Sequence, residues 1–106
     1  MSGSRTIIAA EDRLDNVHPG DVLREDFLIG SEIPIDDVVE ATGLAPDRLT
    51  AIIAGAAPID ADADLRLTRY LDVSEGFFLR LQNSYDLEEA WRAHGEEFER
   101  IPQRAA

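Results

Sequence analysis

Apolar residues recur three and four positions apart in successive stretches of this chain, the period of an amphipathic helix, with glycine and proline between the stretches. Val22, Leu23, Phe27 and Leu28 form the first stripe, opened by His18-Pro19-Gly20 and stopped at Gly30-Ser31. A second helix is predicted from near Pro34, with Ile35, Val38, Val39 and Thr42 inward and Gly43 at its C-terminus. A third starts at Ala45-Pro46. It turns Leu49, Ile52 and Ile53 toward the core, leaves Asp47, Arg48, Thr50, Ala51 and Ala54 outside, and ends at Gly55. Ile59 is expected to plug the core from the loop that follows.

Asp60-Ala61-Asp62-Ala63-Asp64 opens the fourth helix, where carboxylates suit the positive end of the helix dipole. Ala63, Leu67, Tyr70 and Leu71 are its predicted core face. Ser74 reads as the N-cap of a fifth helix lined by Phe77, Phe78, Leu81 and Tyr85. A last amphipathic segment carries Leu87, Ala90, Trp91, His94, Phe98 and Ile101 before Pro102. No strand-like alternation of useful length and no internal repeat occur, so the class is all-α.

Within this series, Pro34 to Ile59 has a specific outline: two short helices joined by a tight turn at Thr42-Gly43-Leu44. That is a helix-turn-helix, a common device for placing a helix in the DNA major groove. Charge complicates the reading. The same stretch holds Asp36, Asp37, Glu40 and Asp47 against Arg48 alone. Non-specific attraction to DNA comes from cations meeting phosphates, so binding by this chain is expected to be weak or to depend on a partner's charge.

The whole chain accentuates the imbalance: 106 residues with a net charge of −12, every cation an arginine. Such an excess either keeps the protein in solution or complements a basic partner. A hydrophobic share of 44% supports one domain with a real core. The absence of cysteine excludes disulfides and thiolate metal sites and suits the cytoplasm. Ile7-Ile8-Ala9-Ala10 is too short for a signal peptide or a membrane span. The expected organisation is an N-terminal arm over 1–17, flexible or a short extended segment, a helix-turn-helix domain over 18–86, and a C-terminal amphipathic helix and tail over 87–106.

His18-Pro19-Gly20, Leu23, Phe27-Leu28, the helix-turn-helix, Asp64-Leu65-Arg66-Leu67, Ser74-x-x-Phe77-Phe78-Leu79-x-Leu81-Gln82 and Tyr85-Asp86-Leu87 fall in order. Together, from His18 to Ala90, they resemble the HigA-type antitoxins, also called plasmid-maintenance antidote or virulence-associated-protein-I proteins, within the Xre helix-turn-helix group. The resemblance implies a five-helix Xre/lambda-repressor-like domain, here with a C-terminal helical extension. It also implies a homodimer on a palindromic operator, repression of its own operon, and neutralisation of a small RelE-like toxin that cuts messenger RNA. Matched residue by residue, the recognition helix is Pro46 to Ala54. Arg48, Thr50, Ala51 and Ala54 are then the positions that reach DNA, with Pro46 opening the helix and Asp47 near the backbone. Where relatives commonly carry Asn-Gly-Lys-Arg, this chain has Ala54-Gly55-Ala56-Ala57.

Each singled-out residue also has a plainer reading. Arg48 reads either as a base contact or as a solvated arginine paired with Asp47 or Glu40. Thr50 is a phosphate or base contact, or a surface hydroxyl. His18 reads as a turn-forming residue. Asp60, Asp62 and Asp64 imitate the start of a calcium loop, but Leu65 and Leu71 stand where such a loop needs glycine and glutamate. His94 has no second histidine near it for zinc. No metal, cofactor or catalytic constellation is expected. Trp91, Phe98 and Ile101 either cover the domain's own core or make a dimer or toxin contact. Two functions follow. One is an antitoxin and autorepressor on operator DNA. The other is a degenerate helix-turn-helix that serves as an acidic protein-interaction module without DNA.

Overall fold

The computed structural model describes residues 15–105, so most of the segment expected to be an arm lies outside the described residues. The described residues form helices joined by short turns, with no strand among them. Helix α1 (Pro19–Val22) opens with proline, and His18 Nδ1 accepts the Gly20 N–H at 2.9 Å to cap it. It runs directly into a π-helical segment (Leu23–Ile29), where the Gly30 N–H reaches back five residues to the Glu25 carbonyl at 3.1 Å. Helices α2 (Ile35–Thr42) and α3 (Pro46–Ile53) follow, with Gly43 between them at φ 76°. That left-handed turn is one glycine adopts freely. Helices α4 (Ala61–Leu71) and α5 (Phe77–Glu99) complete the fold.

Leu23, Leu28, Val38, Leu44, Leu49, Ile52, Ile59, Ala63, Leu67 and Phe78 form one buried cluster to which the π-helical segment and helices α2 to α5 contribute. Ile59 plugs it as expected, and Gln82 holds the plug by accepting the Ile59 N–H at 2.8 Å. Phe27, Phe77 and Phe78 stack edge to face, with centroids 5.0–5.9 Å apart. Two residues assigned inward do not go there: Ile35 is 43% exposed and Tyr70 36%. Each sits near a helix end, where the stripe runs past its neighbours.

Two backbone arrangements fix the helix-turn-helix. At Gly20, a Cβ would collide with the Ile52 carbonyl oxygen, so α1 and α3 meet backbone to backbone. The start of α5 is capped from a distance. Asp64, fully buried on α4, accepts N–H groups from Gly76 at 2.7 Å, Phe78 at 2.8 Å and Leu79 at 3.1 Å. The N-cap position belongs to Gly76 and not to Ser74, because the Asp64 carboxylate supplies what a serine hydroxyl would have given.

Helix α5 covers both the fifth stripe and the last segment, with non-helical dihedrals at His94 (φ −134°, ψ 19°). Beyond that bend Phe98 folds back to meet Trp91, their rings T-shaped at 5.3 Å. Among the described residues no helix is long and apolar enough to cross a membrane.

Candidate nucleic-acid interface

Helix α3 has the amphipathic division its sequence dictates. Leu49 and Ile52 are fully buried, whereas Pro46, Asp47, Thr50 and Ala54 are exposed and Arg48 and Ala51 half-buried. The outer side of α3 is therefore open to a ligand along its whole length, preceded by exposed Gly43 and Ala45 and followed by exposed Ala56. Pro46 occupies the first turn, where its missing N–H costs nothing, and Ala45 enters extended (φ −64°, ψ 137°).

The one cation of this surface, Arg48, is internally committed. Arg48 pairs with neither Asp47 nor Glu40. Its Nη2 forms a close ion pair with Asp60 Oδ1, and its Nη1 lies 3.6 Å from Asp62 Oδ2. Both carboxylates belong to the start of α4. Asp60 caps that helix by accepting the Ala63 N–H at 2.9 Å, and this bond, followed by Arg48, holds its carboxyl below the usual carboxylate range. Asp62 also accepts from Arg66 Nε at 3.0 Å, while Arg66 Nη1 donates to the Thr42 carbonyl at 2.7 Å. Arg24 Nη1 likewise donates to the Ile53 carbonyl at 3.0 Å and lies 3.3 Å from Asp21.

Two arginines outside the helix-turn-helix thus satisfy the C-terminal carbonyls of its two helices. These capping roles were not read from the sequence, where Arg24 and Arg66 carry no spacing signal that points to a helix end 29 or 24 residues away. The aspartate triplet divides into three separate jobs: Asp60 caps its own helix, Asp62 bridges Arg48 and Arg66, and Asp64 caps the next helix. Among the described residues no histidine, aspartate and glutamate group has the arrangement of a metal site. His18 is buried against Tyr85, with rings T-shaped at 4.9 Å, as a turn-forming residue should be.

No protein-family model matches the chain. Virulence-associated protein I of Dichelobacter nodosus is 32% identical over 85 residues, spanning 80% of this chain and 79% of that relative. The Pseudomonas aeruginosa antitoxin HigA, solved with the higBA promoter, superimposes with a TM-score of 0.79 at 30% identity, over 87% of this chain and all of that one. Antitoxin GraA in complex with its operator gives a TM-score of 0.79 at 32% identity, over 88% of this chain and 94% of that one. With its ordered motifs, its five-helix fold and these similarities along most of its length, the chain belongs to the family of HigA-type antitoxins and virulence-associated protein I.

Proposed function

We propose that this protein is an antitoxin and autorepressor that binds operator DNA as a homodimer and neutralises a basic, RelE-like toxin that cleaves messenger RNA. The observation that carries the reading is the open outer side of α3, with Asp47, Thr50 and Ala54 exposed, on a fold shared with relatives solved on promoter or operator DNA. Thr50, Ala51 and Ala54 line the side that would face base edges, and Pro46 and Asp47 would lie where the helix N-terminus meets the backbone. Arg48 would supply the cation. The exposed apolar residues Leu87 and Ile101 on and after α5 offer surface for a second copy or for the toxin.

The test is a gel shift with the upstream region of the protein's own gene at low salt, alone and with the product of the adjacent small gene. A shift in either condition supports repression. No shift in both removes the repressor part and leaves the second reading, an acidic interaction module that inhibits its partner by contact. The observation favouring that reading is the pairing of Arg48 with Asp60 and Asp62, which leaves no cation of the helix-turn-helix unpaired.

A further inference from the structure

We propose that Asp60 and Asp62 form an autoinhibitory clamp on Arg48, withholding the only cation of the helix-turn-helix from a duplex until DNA competes for it. The proposal rests on the DNA-binding reading above and adds a regulation of that same surface.

Three features of the geometry support it. First, both terminal nitrogens of Arg48 are engaged, Nη2 by Asp60 and Nη1 by Asp62. A guanidinium reads guanine with two parallel donors, so the clamp occupies the donors a base would need. Second, the clamp opens without leaving a carboxylate alone. Asp60 keeps the Ala63 N–H at 2.9 Å, and Asp62 keeps Arg66 Nε at 3.0 Å. Third, the pairs are shallow. The side chains of Asp60 and Asp62 are 60% and 56% exposed, and exposed pairs of this kind are individually weak. The contact is therefore competitive and not structural: strong enough to disfavour loose, non-specific attraction to phosphate, weak enough for a matched base edge to displace.

The decisive experiment compares the full-length protein with D60N, D62N and the D60N/D62N double variant. Each is titrated onto a duplex containing its own upstream region and onto an unrelated duplex of equal length. Asparagine at position 60 keeps the N-cap, so α4 stays closed, and circular dichroism verifies it. The same series is repeated with Arg48→Ala. The clamp predicts that D60N/D62N tightens duplex binding about threefold to tenfold, and that Arg48→Ala abolishes this gain.

An equal gain with and without Arg48 would mean a general relief of repulsion and would overturn the clamp. No gain, while the wild type binds, overturns it too and leaves the DNA-binding reading standing. Binding by the double variant but not by the wild type supports both when Arg48→Ala abolishes it, and supports the DNA-binding reading while overturning the clamp when it does not. If no variant shifts either duplex, alone or with the product of the adjacent small gene, the DNA-binding reading fails, and the clamp as a control of it fails with it.

Discussion

The carboxylate of Asp64 accepts three backbone N–H groups at the start of α5 while fully buried, so removing it strands three donors at once. Asp64→Ala is expected to cost about 3 kcal/mol or more in a urea melt, whereas Ser74→Ala, at the position the local pattern marked as the cap, should cost less than about 0.5 kcal/mol. Asp60 offers a test by pH. Its carboxyl is held below the usual range first by the Ala63 N–H and then by Arg48. A depressed folded value means that its stabilisation is present above the ordinary aspartate range and disappears as pH falls through the depressed value. Asp60→Ala should therefore lower the melting temperature at neutral pH and leave a smaller difference from wild type in strong acid. The positions of Asp64 and Asp60 in one acidic run hid this division of labour. Both satisfy the rule that acids suit a helix start, and only the structure shows that one of them serves a different helix.

At the scale of elements, the buried stripes of α3 and the plug at Ile59 were legible because a strong apolar period leaves little freedom about which side faces the core. The π-helical turn after α1 was not. Nothing in Leu23–Ile29 breaks the helical period, and the widened turn is visible only in which carbonyl each N–H reaches. Ile35 and Tyr70 were placed inward by the same period, which identifies a side of a helix but not how far its neighbours extend. The outer residues of α3 were legible as a surface, and the partners of Arg48 were not, because they lie on the next helix. The turn after α3 is open at Ala56, so Ala56→Lys with Ala57→Arg should tighten duplex binding and steepen its salt dependence by about two units per protomer. Titrations at several salt concentrations measure that slope. At the other side of α3, Gly20→Ala is expected to cost about 1–3 kcal/mol in thermal or urea unfolding, because the added methyl must push Ile52 away.

At the scale of the whole molecule, the distal part of α5 adds no residue to the buried core. Among the described residues none beyond Gln82 is buried, and the molecule extends over 52 × 35 × 21 Å. A chain ending at Ala93 should therefore melt cooperatively within a few degrees of the full protein when both are dilute. Any larger difference that grows with protein concentration reports the tail's part in self-association. The net charge of −12 acts over the same whole surface and opposes every phosphate, so on the DNA-binding reading recognition falls to a small number of well-placed contacts. The seam between Gly20 and the Ile52 carbonyl bears on how such contacts can change. Because main chain rests on main chain there, no side chain exists to be trimmed, and adding one at Gly20 costs stability before it can usefully tilt α3. On the DNA-binding reading proposed above, a lineage carrying this seam would change which duplex it prefers by exchanging outward-facing residues such as Thr50 and Ala54, while the helix that bears them keeps its seat.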